Sequence, residues 1–244
     1  MDYFYEYLTS VIPIYLLELF AAIAGLYYLK RRPNTLRSIK VLVYFLWFTV
    51  IVEVIGSYAP IAYFTNYEYF GFVKDTVFKQ NRWLYNVYSL INYSFLIYFF
   101  KSFIQSDKKR KILKVIIAVF LFFGVLNLIF SDIFFNKSSV FISITGTIIV
   151  LFSIFIFYFD LLKRDEILDL KRYLPIYISI GALVFNICVT PSDIFSQYFN
   201  SNNDLYIKLS GLILLVANIF MYSTFIIGFL VCAKSSKRDK KLTI

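Results

Sequence analysis

Residues 41 to 60 read VLVYFLWFTVIVEVIGSYAP, twenty positions with a single charge, Glu53. At a helical rise of about 1.5 Å per residue, such a run covers a hydrocarbon core of about 30 Å. The stretch is therefore expected to form a membrane-spanning helix. Thr49, Glu53, Gly56 and Pro60 recur at spacings of four, three and four, which puts them on one helix face. A carboxyl group turned toward lipid is costly, so this face is expected to look into protein or a watery cavity, with the other spans wrapped around it.

The rest of the chain agrees with that reading. Its 244 residues are 60% hydrophobic and 21% aromatic, with a mean hydropathy of +0.71. Soluble domains are nearer half apolar. An integral membrane protein is implied, with little length left for a soluble domain. The formal charge of +10 does not point to nucleic acid, because the basic residues sit in short runs between apolar spans, where they set topology. Cys188 and Cys232 fall in spans at opposite ends of the bilayer, so two buried thiols are expected rather than a disulfide. The chain has no histidine. That removes Ser-His-Asp and Cys-His catalysis, histidine-bearing zinc sites and histidine-ligated haem.

Working outward from 41–60, apolar runs predict an all-α, polytopic protein of seven transmembrane helices, at about 11–29, 41–62, 83–103, 112–130, 140–162, 173–190 and 207–232, forming one domain over 1–244. Ala21 and Gly25 form a small-xxx-small pair for close helix approach. The connection from Thr65 to Arg82 is rich in Tyr and Phe, and part of it is expected to lie in the interface as a short helix. Pro13, Pro33 and Pro60 are read as helix ends or loops, Pro175 as a first-turn residue, and Pro191 as the end of the sixth span. The connections 30–40, 101–114 and 163–172 together with the tail hold twenty of the twenty-five Lys and Arg. The positive-inside bias then sets the N-terminus outside and the C-terminus in the cytoplasm. Heavy use of Ile, Phe, Asn, Lys and Tyr suggests an AT-rich bacterial genome, and hence a multi-pass protein of a bacterial inner membrane.

Chemistry is expected in the outer half. Glu18 and Glu53 each fall about seven residues from the outer end of their spans, and Tyr88, Asn92, Asn186 and Asn218 lie at similar depth. No Lys, Arg or His shares that depth, so at least one glutamate is expected to be protonated or held by a cation. These six residues form the candidate ligand or proton pocket. The bland alternative is that they hydrogen-bond between helices as structural glue. Asp160 is expected to pair at the inner boundary with Lys163 and Arg164, and Asp132 and Asp193 to be solvated at the outer surface.

Two seven-span families can be tested on residues. Retinal proteins need a Schiff-base lysine in the last helix, and Leu209 to Ala233 has none. Small sugar transporters of the three-plus-one-plus-three type share the helix count and N-out topology, but no repeat or Pro-Gln motif is present. The sequence therefore favours a receptor-like or regulatory module with an outer-half polar pocket. A small solute transporter, proton-coupled through Glu18 or Glu53, is the rival. A membrane enzyme is the third reading; without histidine it would have to use the carboxylates alone, with or without a metal. No catalytic residue, cofactor or metal ligand is singled out. The expected partners are the lipid bilayer and a membrane or cytoplasmic protein meeting the basic inner loops, with no nucleic acid.

Overall fold

The structure, a computed structural model, describes residues 2–164, 170–195 and 204–234; parts of the inner connection 163–172, of the outer connection 192–206 and of the basic tail lie outside the described residues. Its helices are α1 (Asp2–Arg31), α2 (Arg37–Gly56), α3 (Tyr58–Phe64), α4 (Arg82–Lys101), α5 (Asp107–Phe130), α6 (Ile133–Asn136), α7 (Val140–Leu161), α8 (Leu174–Phe195) and α9 (Asp204–Ala233). The chain is all-helical among the described residues, and six helices are long and apolar enough to cross a membrane, with α2 and α3 counted as one run from Arg37 to Phe64. Helix α4 has the length, at 20 residues, but Tyr85, Asn86, Tyr88, Ser89, Asn92, Tyr93 and Ser94 lower its hydropathy. Its setting accounts for that composition: it packs against α2, α5 and α7.

The long helices close on themselves. Helix α1 packs on α2, α2 on α4, α4 on α7, α7 on α8, α8 on α9, and α9 returns to α1. Helix α5 lies outside this ring against α4 and α7, with Val115, Val119, Phe122, Phe123 and Ile129 exposed. Gly25 lets α1 and α2 approach, since a Cβ there would stand 2.8 Å from Val43 Cγ2. That is the close packing small residues provide where lipid supplies no hydrophobic drive.

The two ends of the ring differ. The end holding the basic connections is filled by aromatic rings. Phe99, Phe100, Phe157 and Phe229 are fully buried there, with ring centroids 5.3 Å apart for Phe99–Phe100, 5.8 Å for Phe100–Phe157 and 5.8 Å for Tyr28–Phe229. Spacings of 4.5–7 Å are the favourable range for aromatic pairs. Asp160 closes this end. It is buried, pairs with Arg164, accepts the Gln105 backbone N–H at 2.9 Å and has Lys109 Nζ at 3.9 Å. Arg164 also donates to the Phe103 carbonyl at 2.5 Å. Pairing with Arg164 is as the sequence predicts, but Lys109 takes the place expected for Lys163, because the α4–α5 turn folds under the end of α7.

At the other end, connections fold back onto the helices. Asn86 is 3% exposed; its Nδ2 donates to the Phe134 and Lys137 carbonyls, and its Oδ1 accepts the Ser139 N–H. It thereby pins the α5–α7 connection to α4. In the 65–81 connection the short helical segments, Gly71–Val73 and Val77–Lys79, are 3-10 rather than α-helical. Asn66, Tyr67 and Phe70 adopt positive φ, and such left-handed residues interrupt a right-handed helix. Three proline readings also change. Pro13 lies inside α1 because that helix begins at Asp2, and Pro191 lies inside α8, which runs on to Phe195. Both helices continue past the missing N–H, as membrane helices can. Pro60 stands within the short α3 rather than at a loop. Cys188 and Cys232 are both free thiols; Cys232 is buried as expected, whereas Cys188 is exposed, which corrects the expectation of two buried thiols.

Candidate proton or cation site

Helices α1 and α2 meet with their acids facing. Glu18 lies eleven positions beyond Tyr7, the start of the first spanning run, and Glu53 lies eleven before Phe64, the end of the second. At about 1.5 Å per position the two carboxyls are level, each about 16 Å along its run. Glu18 is 4% exposed, and its Oε2 is buried with no hydrogen-bond partner among the described residues. Glu53 is half-buried and accepts a hydrogen bond from the Tyr85 hydroxyl at 2.7 Å.

Tyrosines complete the group. Tyr222 of α9 interacts with the Glu18 carboxyl, and Tyr15 of α1 with that of Glu53. Tyr88 of α4 feels both carboxyls and shares a 3.0 Å hydrogen bond with Thr49 of α2. The Glu53 carboxyl is near enough for its charge to act on that of Glu18. Among the described residues, no lysine or arginine acts on either acid. Gly56 makes room for this arrangement, because a Cβ there would stand 2.6 Å from the Tyr85 hydroxyl oxygen. Phenols suit such a site. Each donates a hydrogen bond to a carboxylate and can accept one from a protonated carboxyl, so the group tolerates either state.

The residues singled out in the sequence divide between two places. Glu18, Glu53 and Tyr88 come together. Asn92 lies on α4 one turn beyond Tyr88 and is half-buried, and Asn218 lies on α9 one turn from Tyr222 and is buried. Asn218 spends its amide on the Leu214 carbonyl of its own helix, at 2.8 Å. Asn186 belongs elsewhere: it is 2% exposed and bonds to Thr147 of α7 and to the Ala182 carbonyl. Around it sit Ser143, Thr190, Tyr93 and Asp193. The Asp193 carboxylate is half-buried and accepts from the Ser143 hydroxyl, so the expectation of a solvated Asp193 is corrected, because α8 continues past Pro191 and carries the side chain against α7. Asp132 is exposed, as expected.

Tyr15, Tyr85 and Tyr222 are not marked as site residues by sequence pattern alone. Tyr85 and Tyr222 do fall on the polar faces of their helices, which is the signal that points to them. A carboxyl pair flanked by phenols, without a basic partner or a strong nucleophile, can hold and exchange a proton or a small cation. No protein family, curated protein or solved structure matches the chain.

Proposed function

We propose that this chain is a receptor-like or regulatory membrane module of seven spanning helices, α4 being the seventh, that senses protons or a small cation at Glu18 and Glu53. Its N-terminus lies outside and its C-terminus in the cytoplasm of a bacterial inner membrane, with the basic end meeting a membrane or cytoplasmic partner. The observation that carries this reading is the division of the ring: a carboxyl–phenol group toward one end, and a plug of fully buried Phe99, Phe100, Phe157 and Phe229 at the other. A carboxyl–phenol group separated by that plug from the opposite end fits detection better than passage. Helix α4 is 20 residues long, enough for about 30 Å, and its polar residues serve the interior rather than lipid. The rival, a small solute transporter coupled to protons through Glu18 or Glu53, would need a polar route through that plug.

The test is a pair of measurements on Glu53→Gln in detergent. Gln keeps the shape and the hydrogen-bond capacity of a neutral Glu but cannot exchange a proton. The expected result is an unchanged melting temperature with loss of the pH-dependent change in tryptophan fluorescence, reported by Trp47 and Trp83. A variant that keeps the wild-type pH response would overturn the reading and leave the glutamates as helix glue.

A further inference from the structure

Two hydrogen-bonded branches leave the glutamate group, and they end differently. One runs toward the end of the ring that carries the 65–81 connection. The Tyr15 hydroxyl bonds to the Glu53 carboxyl, and the Tyr7 hydroxyl to that of Tyr15. Tyr7 and Tyr15 are eight positions apart on α1, about 12 Å along the helix. Tyr7 starts the first spanning run and is half-buried. Its ring packs on that of Phe64, the last residue of α3, with centroids 5.5 Å apart. The branch thus climbs from the acid to the end of its helices. The other branch points the opposite way. Tyr88, near enough to sense both carboxyl charges, shares a 3.0 Å hydrogen bond with Thr49. Thr49 donates in turn to the Phe45 carbonyl at 3.1 Å. Tyr88 is therefore the donor to Thr49, and this branch stops at a carbonyl, which has no proton to pass on. The Phe45 ring stacks on Phe95 beside it, with centroids 4.0 Å apart.

The first branch suits one traveller. A phenol both accepts and donates a hydrogen bond, so a row of phenols passes a proton by exchanging O–H bonds. Glu53 takes the Tyr15 proton, Tyr15 takes that of Tyr7, and Tyr7 takes one from a hydronium ion in the water outside. Each O–H bond that breaks is replaced by the next, and both phenols end neutral. A metal ion is served less well. It needs a cage of lone pairs, about 6–8 oxygens for calcium, whereas Tyr15 and Tyr85 both hydrogen-bond to Glu53 and so turn O–H hydrogens toward its carboxylate. The titratable groups facing the two acids from α1, α2, α4 and α9 are Tyr7, Tyr15, Tyr85, Tyr88, Tyr222 and the acids themselves. On α3, Tyr58 donates instead to the Phe78 carbonyl at 2.7 Å, and Tyr63 is exposed. Resting on the reading of Glu18 and Glu53 as the sensor, we propose that its ligand is the proton, and that Tyr7 and Tyr15 are the relay that carries it between the outer ends of α1 and α3 and Glu53. Glu53, on which two phenols converge, exchanges the proton. Glu18, with an oxygen that no donor among the described residues reaches, is the acid that keeps it.

The experiment is a stopped-flow pH drop on the purified full chain in detergent, followed by tryptophan fluorescence, with the equilibrium pH titration measured beside it. Tyr15→Phe and Tyr7→Phe keep each ring and remove only the hydroxyl. Each should slow the fluorescence change by about tenfold or more and keep its full amplitude at equilibrium. Tyr85→Phe, which also removes a hydroxyl from Glu53 but lies off the relay, should respond at the wild-type rate. If Tyr15→Phe does not fold, Tyr7→Phe decides. A wild-type rate in the deciding variant, or Tyr85→Phe slowed as much, would overturn the relay and leave the sensor standing. A wild type without any pH-dependent fluorescence would overturn the sensor reading, and the relay with it. Replacing sodium chloride by choline chloride at constant ionic strength should leave the titration midpoint in place, and a midpoint that moves with sodium would overturn the assignment to the proton.

Discussion

Replacing Gly56 by alanine should break the Tyr85–Glu53 hydrogen bond without touching either partner. The added Cβ would stand 2.6 Å from the Tyr85 hydroxyl oxygen and 3.0 Å from its Cζ, so the phenol must swing away and the 2.7 Å bond to Glu53 Oε2 is lost. Interhelical hydrogen bonds in membrane proteins average about 0.6 kcal/mol and reach about 1.7. Leaving a buried acceptor unpaired costs about 1–3 kcal/mol. Opposing this, alanine favours helix over glycine by about 1 kcal/mol. The net loss should be about 1 kcal/mol, and the propensity gain cancels in a double-mutant cycle. Gly56→Ala, Tyr85→Phe and the double variant should be unfolded by SDS titration from mixed micelles. In the Tyr85→Phe background, with no hydroxyl to displace, Gly56→Ala should be neutral or stabilising, and the coupling should be about 1–2 kcal/mol. A coupling of zero would refute the argument that Gly56 exists to seat the Tyr85 hydroxyl.

Three further outcomes are expected. In a background with Cys188 and Cys232 replaced, an impermeant thiol reagent applied outside intact cells should label Asn136→Cys and spare Lys108→Cys; the reverse pattern would invert the proposed topology. Asp160→Asn should cost about 3–5 kcal/mol, measured by the same SDS titration, because it strands the buried Arg164 guanidinium, and adding Arg164→Met should recover part of that loss. Asn86→Ala removes three hydrogen bonds to the α5–α7 connection; it should lower the melting temperature by the equivalent of about 1–3 kcal/mol and open protease sites near Lys137, and resistance equal to wild type would contradict the pinning role.

The helices are legible because apolar runs and their polar stripes are properties of one helix at a time. Depth along each helix can be counted as well, which is why the sequence alone pairs Glu18 with Glu53. What cannot be read from periodicity is the order of helices around the ring. Asn186 shares the depth of the glutamates, but α8 sits between α7 and α9, so its amide meets Thr147 instead. Tyr222 is far from Glu18 in sequence, and only the return of α9 onto α1 brings them together. Helix α4 is ambiguous for a related reason. Its polar residues serve partners on two sides, so its hydropathy falls below that of the other long helices although its 20 residues are enough to cross a bilayer. Proline preference puts Pro13 and Pro191 at helix boundaries, whereas α1 begins and α8 ends several residues further out.

The closing of the ring has a consequence in time. Glu18 leaves the ribosome 204 residues before Tyr222. At about 5–20 residues per second, roughly 10 to 40 seconds separate the synthesis of the acid from that of its phenol. Throughout that interval the seam between α1 and α9 is open, and Glu18 has only the partners that α1, α2 and α4 bring. The last helix therefore acts as a lid on an acid already in the membrane. A chain stopped before α9 holds a Glu18 carboxyl that lacks its Tyr222 phenol.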